Sequence, residues 1–490
     1  MKKTAMTLGG LALLAGTTIA IPPANAEPKP VARVWLTTGD ERNLLADRTD
    51  LLQPADPAAP TITVNPRETY QKINGFGASL TDSSAHLIFT SPDKQEIMRS
   101  LFSPSGRGLG LSYLRQPIGS SDFVNGPHYT YDDMPAGQTD PGLKHFSIAH
   151  DRKEILPLLR LAKAINPGLR IIGTPWSPPA WMKTSDSLIG GRLKPDAVDV
   201  YADYLVKYVK AYKAEGVKVD ALTVQNEPQN RNPDGYPGMD LRPAEAAAVI
   251  KALGPKLRAA GLDTQILGHD HNWSLHPNDS GPADDPADPD YVKTLMSDPR
   301  AAEEIDGLAF HCYAGDPDRM SAAHDAYPGK DILLTECSGS QSANPATTFP
   351  DTLHWQTRQL TVWGTRHWAS TVISWNLALD PAGGPRNGGC ATCFGVVTID
   401  PATGKATPTA EYYVLGHAGK FIKRGAVRVG TSFYAGSVIG VTFRNPDGSV
   451  YLLAVNDDWG AGSQRFNVSM GRTNFSYELP SGGVATFLLR

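Results

Sequence analysis

The hydrophobic pattern divides the chain into a long central part and two different ends. Between Gln71 and Arg424, short apolar, β-branched runs alternate with longer segments whose apolar residues recur at helical spacing. This alternation is typical of parallel strands joined by crossover helices, and eight strands are enough to close a barrel. Eight are predicted, at residues 73–78, 112–117, 170–175, 221–225, 265–268, 307–310, 332–335 and 371–376.

Helices are predicted between these strands. Their ranges are 91–101, 153–165, 197–215, 242–260 and 351–363, followed by a last helix at 411–421. The helix at 242–260 has Pro243 in its first turn and Gly261 after its end, which are residues that helices favour at those places. The apolar stripe of the helix at 197–215 is interpreted as packing against the barrel.

The two ends of the chain carry a different pattern. After Gly425 apolar and polar residues alternate, with strands predicted at 437–443, 450–455 and 484–489. Residues 31–37 and 61–64 are also strand-like, but they are too few to fold alone. We therefore predict an α/β fold, a (β/α)8 TIM barrel at 69–424, with an accessory antiparallel β-sandwich built from 27–68 and 425–490.

The first 26 residues have the pattern of a secretory signal peptide. Lys2 and Lys3 precede an apolar run from Met6 to Ile21, and Ala24-Asn25-Ala26 supplies a small-residue cleavage site. A membrane anchor is the alternative, but the apolar run is shorter than the roughly 20 residues that span a bilayer. A mature start at Glu27 and a secreted protein are expected, without an integral membrane segment.

Charge and cysteines narrow the class of protein further. The net charge of −4 becomes −6 when the two lysines of the signal peptide are removed, and there are no Lys/Arg runs, so nucleic acid is not an expected partner. Cys390 and Cys393 lie in a Gly-rich segment. A zinc site would need about four ligands, but no second C-x-x-C motif or pair of histidines follows. Because an exported protein meets oxidising conditions, a small disulfide loop is favoured.

Two glutamates follow predicted barrel strands and are the candidate catalytic residues. Glu227 stands in Gln225-Asn226-Glu227-Pro228 after the fourth strand, and Glu336 stands in Thr335-Glu336-Cys337 after the seventh. In such barrels the chemistry lies at the carboxyl ends of the strands. A lone glutamate there is more often a helix-start or solvated charge, but a pair facing across the barrel mouth is what glycosidic hydrolysis needs.

Aromatic and polar residues accumulate at the same strand ends. Trp176 and Trp181 follow the third strand, His311 and Tyr313 the sixth, and Trp375 lies near the end of the eighth. Aromatic rings stack on the apolar faces of sugars, while amide and carboxylate groups bind the hydroxyls. A single buried tryptophan would be ordinary core, but this concentration favours a carbohydrate pocket.

Five sequence segments that contain these residues or neighbour them resemble glycoside hydrolase family 30, the acid β-glucosidase (glucosylceramidase) group. The segments are 74–82 (NGFGASLTD), 175–184 (PWSPPAWMKT), 225–228 (QNEP), 374–381 (SWNLALDP) and 412–424. They occur in collinear order over nearly all of the mature chain.

The resemblance implies a retaining β-glycosidase acting on a glycolipid or a β-glucan. No cofactor or metal is expected, because the candidate residues show none of the usual three-ligand zinc spacings. It assigns Glu227 as the general acid/base and Glu336 as the nucleophile. It also implies a glycone pocket lined by Asp82, Trp176, Asn226, Tyr236, His311, Tyr313, Trp375 and Asn387.

The sequence departs from the animal enzymes at Cys312, which replaces a tryptophan, and around Glu336, where Thr-Glu-Cys replaces Ser-Glu-Ala-Cys. Side chains alternate along a strand. If His311, Tyr313 and Glu336 face the pocket, Cys312 and Cys337 face away on neighbouring strands, so a second disulfide between them is expected.

The substrate is left open between several alternatives. A glucosylceramidase or β-glucosidase acting on a terminal β-glucosyl bond is the first expectation. An endo-β-1,6-glucanase or a β-xylosidase could use the same barrel and carboxylates, since loops decide the substrate. A non-catalytic carbohydrate-binding protein is the alternative from another class, but it would be expected to have lost one carboxylate.

Overall fold

The computed structural model describes residues 1–2, 31–460 and 462–490. Apart from Met1 and Lys2, the predicted signal peptide lies outside the described residues. Within the described part, no helix is long and apolar enough to cross a membrane.

Both chain ends build one ten-stranded β assembly, which is the predicted sandwich. Its strands are β1 (Ala32–Thr37), β2 (Ala46–Asp47), β3 (Thr61–Lys72), and, after the barrel, β15 (Val427–Thr431), β16 (Tyr434–Ala435), β17 (Val438–Arg444), β18 (Val450–Asn456), β19 (Gln464–Met470), β20 (Thr473–Leu479) and β21 (Val484–Leu489). The long strand β3 joins the two halves, because it pairs antiparallel with β15 and parallel with β19. It also continues to Lys72, past the predicted domain boundary at 68.

The eight parallel barrel strands lie where the sequence predicts them. They are β4 (Gly75–Ser79), β5 (Tyr113–Ile118), β6 (Arg170–Pro175), β7 (Ala221–Thr223), β8 (Gln265–Asn272), β9 (Gly307–His311), β10 (Asp331–Glu336) and β11 (Ala369–Asn376). They close in chain order, with β11 pairing β4. A three-stranded sheet follows, formed by β12 (Ala378–Leu379), β13 (Val397–Ile399) and β14 (Ala406–Pro408).

The helices surround the barrel. They are α1 (Asp82–Thr90), α2 (Lys94–Phe102), α3 (Ile155–Ile165), α4 (Val198–Ala214), α5 (Pro243–Ala259), α6 (Tyr291–Met296), α7 (Pro299–Glu304), α8 (Asp318–Ala326), α9 (Thr348–Gln356), α10 (Gly364–Arg366) and α11 (Ala410–Gly419). A π-helical turn at Thr357–Trp363 continues α9. The apolar stripe of α4 is buried, as its sequence pattern predicts.

The predicted helix at 91–101 is α2, and the structure has a further helix before it that was not predicted. This helix, α1, starts after Thr81, whose side chain accepts a hydrogen bond from the Ser84 amide. Ser91 lies between α1 and α2 in an extended conformation, and it precedes Pro92. A residue before proline is disfavoured in the helical region, which explains the break.

Helix α11 connects the barrel to the sandwich. The buried ring of His417 makes two 2.9 Å hydrogen bonds, from Nδ1 to the hydroxyl of Thr486 and from Nε2 to the hydroxyl of Thr37. These threonines lie on β21 and β1. One side chain therefore fixes both chain ends against the last barrel helix.

Candidate active site

The two candidate glutamates meet at the carboxyl ends of the barrel strands. Glu336 is the last residue of β10, whereas β7 ends at Thr223 and Glu227 lies in the turn beyond it, with a φ of 45°. A carboxylate oxygen of each glutamate and a ring nitrogen of His311 lie within 4.8 Å of one another. A positive φ is costly for a residue with a side chain and is often found at functional sites.

Glu336 is held by two donors. Arg115 Nη1 lies 2.5 Å from its Oε2, and the hydroxyl of Tyr313 donates to its Oε1 at 3.0 Å. Burial raises the pKa of Glu336 above its ordinary value, although the charges of His311 and Arg115 oppose the shift. Burial raises the pKa of Tyr313 well above 10, so its hydroxyl keeps its proton and remains a donor.

Glu227 has a different environment. Its Oε1 lies 3.2 Å from Nδ1 of His311, and its Oε2 accepts a 3.1 Å hydrogen bond from the Asn230 side-chain amide. Burial alone would raise the pKa of Glu227, but the hydrogen bond from His311 and the charges of His271 and His311 outweigh burial and bring it to about 2. These interactions favour the ionised form of Glu227.

A fully buried carboxylate, Asp270, connects the strands below the two glutamates. Its Oδ2 accepts hydrogen bonds from Arg115 at 3.0 Å and Thr223 at 2.8 Å. Its Oδ1 accepts one from Thr335 at 2.7 Å and lies 3.1 Å from Nε2 of His311. Burial opposes its charge, but Arg115 and His311 lower the pKa of Asp270 far below its ordinary value.

Asp270 reaches the barrel interior because β8 is irregular. The register of β8 against β9 shifts between His269 and His271, and His269 and Asp270 have φ values of 74° and 59°. Such a β-bulge changes which side chain points inward.

The ring of His311 lies between two carboxylates, and its protonation decides whether Glu227, His311 and Glu336 could together bind a metal ion. Burial lowers its pKa, but Glu336, Asp270 and Glu227 together raise the pKa of His311 to about 9. Metal-binding imidazole must be neutral at the ligating nitrogen, and both ring nitrogens of His311 already face carboxylates. The charges of Glu227, His311 and Glu336 thus favour proton transfer over metal binding.

The glutamates open into a cavity of about 450 Å³. Its lining residues are Asp122, Trp176, Asn226, Glu227, Asp234, Tyr236, Asn272, His276, Asn278, Tyr313, Glu336, Trp375, Gly389, Cys390 and Cys393. Trp176 and Trp375 stack with ring centroids 5.2 Å apart, and the Arg115 guanidinium lies over Trp176. The volume suits a sugar ring with room for a second unit.

The structure brings most of the predicted pocket residues together. Trp176, Asn226, Tyr236, Tyr313 and Trp375 line the cavity, and His311 lies beneath it between the carboxylates. The buried Oδ1 of Asn226 accepts a 2.7 Å hydrogen bond from Arg115, so Asn226 also orients the site.

Two predicted pocket residues do not line the cavity. Asp82 is the first residue of α1, where its Oδ1 accepts a hydrogen bond from the Asn125 amide and its Oδ2 lies 2.6 Å from the His150 ring. The Asn387 side chain donates to the Gly126 carbonyl. Both side chains therefore connect loops around the site.

The cavity carboxylate that sequence reasoning missed is Asp122. Burial first, and then the charges of Glu336 and Glu227, raise its pKa to about 7. Arg115 was also missed, although it is the only charged residue of the buried strand β5, which was a usable signal. For Asp122 and Asp270 the sequence offered none, since each stands among other polar residues.

Both expected cysteine pairs form disulfides. Cys312 and Cys337 join the segments after β9 and at the end of β10, with Cα atoms 5.3 Å apart. Cys390 and Cys393 close a loop that forms part of the cavity wall. The first disulfide ties Cys337, and with it the end of β10 at Glu336, to the segment after β9. The second holds a loop of the cavity wall.

Comparison with known proteins agrees with this geometry. Residues 73–422 match the glycosyl hydrolase family 30 TIM-barrel domain, and residues 425–487 match the family 30 beta sandwich domain. An endo-1,6-beta-D-glucanase of Neurospora crassa is 35% identical over 379 residues, which cover 75% of this chain and 74% of the relative.

Two further relatives cover more of the chain. The lysosomal acid glucosylceramidase of Mus musculus is 29% identical over 429 residues, covering 81% of this chain and 77% of the relative. A solved endo-beta1,6-glucanase is 31% identical and superimposes with a TM-score of 0.81, covering 94% of this chain and 99% of its own. Since the barrel match alone spans more than half of the sequence, the protein belongs to glycosyl hydrolase family 30 and is a glycoside hydrolase.

Proposed function

We propose that the protein is an exported, retaining endo-β-1,6-glucanase. The observation that carries the substrate is the end-to-end match to a solved endo-beta1,6-glucanase, at 31% identity over 94% of this chain. The glucanase of Neurospora crassa supports the same substrate at 35% identity. The alternative substrate from the sequence is thus favoured over the first expectation, glucosylceramide.

The chemistry of the cavity wall also supports a polysaccharide. Four of the loop residues that reach it have polar or charged side chains, namely Asp122, Asp234, His276 and Asn278. Such groups suit sugar hydroxyls on both sides of the scissile bond, whereas a ceramide would need an apolar surface for its chains. Glucosylceramide remains the second candidate because the mouse enzyme is 29% identical over 81% of this chain.

The spacing of the glutamates supports retention of configuration. Retaining enzymes hold their two carboxyl groups about 5 Å apart, and inverting enzymes about 6.5 Å or more. An oxygen of Glu227 lies within 4.8 Å of an oxygen of Glu336, which leaves no room for a water between sugar and carboxylate.

In the first step Glu336 attacks the anomeric carbon. The bond between this carbon and the leaving oxygen breaks as Glu227 protonates that oxygen. Arg115 and Tyr313 hold the two oxygens of Glu336 in place for attack. In the second step Glu227 takes a proton from water, and the resulting hydroxide displaces Glu336 from the sugar. The two carboxylates end in their starting states.

The test compares wild type with Glu336→Gln on a linear β-1,6-glucan and on glucosylceramide. We expect wild type to release a ladder of oligosaccharides from the glucan, with β-configured products in early NMR spectra. Removing a nucleophile lowers kcat by roughly 10⁴-fold or more. Glu478→Gln, an exposed change on β20, is the matched control and should behave as wild type.

Each other outcome excludes part of the proposal. Ceramide release without glucan cleavage would replace the substrate and keep the mechanism. Glucose as the sole early product would show exo action, and α-configured products would exclude retention. Export is tested by mass spectrometry of the secreted chain, which should begin at Glu27.

A further inference from the structure

A second histidine faces the proposed acid/base from the neighbouring strand. Nδ1 of the buried His271 lies 3.9 Å from Oε1 of Glu227, the same oxygen that His311 approaches. Nδ1 has no hydrogen-bond partner among the described residues. Buried ring nitrogens are normally bonded, so an unpartnered one facing a carboxylate needs an explanation.

Asp279 determines which ring atom faces Glu227. Nε2 of His271 lies 3.1 Å from Oδ1 of Asp279, whose other oxygen accepts a 2.7 Å hydrogen bond from the His276 amide. A carboxylate in this arrangement accepts, so Nε2 of His271 carries a proton. The atom free to gain or lose a proton is therefore Nδ1, which faces Glu227.

His311 is poorly suited to give up its proton. One of its ring nitrogens faces Glu227 and the other faces Asp270, whose charge is buried below the site. Releasing a proton from His311 would weaken bonds to two carboxylates at once. His271 has a carboxylate bonded at Nε2 alone, and the 3.9 Å gap at Nδ1 closes with a small movement of either side chain.

We propose that His271, oriented by Asp279, is a positioning residue that stores the catalytic proton of Glu227. This inference rests on the proposed acid/base role of Glu227. In the first step, Glu227 gives a proton to the leaving oxygen. Nδ1 of His271 supplies its own proton to Oε1 of Glu227, either before this transfer or together with it. In the second step the proton that Glu227 takes from water returns to Nδ1, so the cycle balances.

The same loop also forms the cavity wall. Asp279 fixes the short helical turn Pro277–Asp279, which brings His276 and Asn278 to the cavity. The Asn278 carbonyl accepts hydrogen bonds from the Arg231 amide and the Asn232 side chain, both at 3.1 Å. A substrate unit that touches this wall is thereby linked through Asp279 to the proton store.

The decisive variant is His271→Gln. The glutamine amide can reach Asp279 in place of Nε2 and keep the loop in position, but it removes the nitrogen that faces Glu227. Asp279→Asn is the second variant, and His324→Gln, the same change at a ring stacked on Trp368, is the control. Equal thermal unfolding midpoints for wild type and His271→Gln establish that the fold is intact.

The measurement is kcat/KM for phenyl and 2,4-dinitrophenyl β-gentiobiosides, since kcat/KM reports the first chemical step. Phenol needs protonation to leave, and dinitrophenol does not. We expect His271→Gln to lower the phenyl value by about 10- to 100-fold, a typical contribution of general acid catalysis, and the dinitrophenyl value by less than about 3-fold. Asp279→Asn should show the same selectivity with a smaller loss.

The pH profile gives a second readout. In His271→Gln the proton is held by the Glu227 carboxyl group alone, and a carboxyl group ordinarily loses its proton at a lower pH than an imidazolium. The basic limb of kcat/KM for the phenyl substrate should therefore move to lower pH. The other titratable groups around Glu227 and His271 are unchanged in this variant. They are Asp270, His269, Asp279, His311 and Glu336.

Equal losses on both aryl substrates, or no loss on either, would overturn the proposal. If wild type acts on a terminal glucosyl unit instead, the same aryl pair as β-glucosides tests the proton store. Failure of wild type to cleave β-1,6-glucan would therefore overturn the proposed function alone.

Discussion

The inside of the barrel has two layers with opposite chemistry. The lower layer is apolar and consists of Tyr113, Ile172, Ala221, Leu267, Ala309, Leu333 and Ile373. The upper layer is a connected polar network that consists of Arg115, Thr174, Thr223, Asp270, His311 and Thr335. The same strands supply both layers.

The two layers are related by strand alternation. On most strands the upper residue stands two positions after the lower one, as Arg115 follows Tyr113 and His311 follows Ala309. Strand β8 is the exception, since Asp270 stands three positions after Leu267 because of the bulge. Regular alternation thus supplies the stable layer, and one irregularity supplies the central charge of the functional layer.

The largest effect should come from Arg115→Met in the upper layer. The change leaves Asp270 and Glu336 buried without their common cation. Breaking a buried ion pair costs about 3–5 kcal/mol of unfolding free energy, and activity should be lost with it. Urea unfolding followed by circular dichroism measures the change, and a loss below about 1 kcal/mol would contradict the two-layer interpretation.

The double variant Arg115→Met/Asp270→Leu sharpens this test. Apolar replacement of a whole buried ion pair is often neutral or stabilising. The double variant should therefore be more stable than Arg115→Met while remaining inactive, which would show that the network serves function at the expense of stability.

In the lower layer, Ile172→Ala should act on stability alone. Removing a fully buried isoleucine side chain costs about 2–4 kcal/mol, because the cavity left behind is only partly filled. The values of kcat and KM should stay within about 2-fold of wild type at a temperature where the variant is folded. A large fall in kcat would show that the two layers are coupled.

The smallest effect should come from Asp122→Asn at the rim of the upper layer. Because the pKa of Asp122 is raised to about 7, protonation favours the folded state. The stability from this group is full below pH 4 and is lost as pH rises through 7. The variant lacks this titration, so its stability relative to wild type should increase steadily as the pH rises from 4 to 8. If the stability difference between the variant and wild type did not change over that range, the pKa of Asp122 would not be raised by burial.

The order of elements could be predicted because it depends on local patterns. Eight apolar runs, the helices between them and the alternating chain ends sufficed for the barrel and the sandwich. The Cys312–Cys337 disulfide followed from alternation on neighbouring strands. Glu227 and Glu336 could be placed at the barrel mouth because each stands in a recognisable motif at or just after the end of a predicted strand.

Asp82 and Asn387 show what a local motif leaves open. Their motifs resemble the family, but the structure also bonds Asp82 to His150 and Asn387 to the Gly126 carbonyl, far away in sequence. Asp122 lines the cavity instead, since the loop after β5 folds back over the barrel mouth and Asn387 donates its backbone amide to the Asp122 carbonyl. Such long-range contacts leave no periodic pattern in the sequence.

The sequence by itself determined the strand count, the barrel with its sandwich and the pair of glutamates, because hydrophobic periodicity and strand-end motifs are local properties. Only the tertiary structure decided that Asp270 turns inward, that Arg115 meets Glu336, and that His271 faces Glu227 with Asp279 behind it. The physical reason is that a bulge and a network of buried charges depend on neighbouring strands, which come together only when the barrel closes.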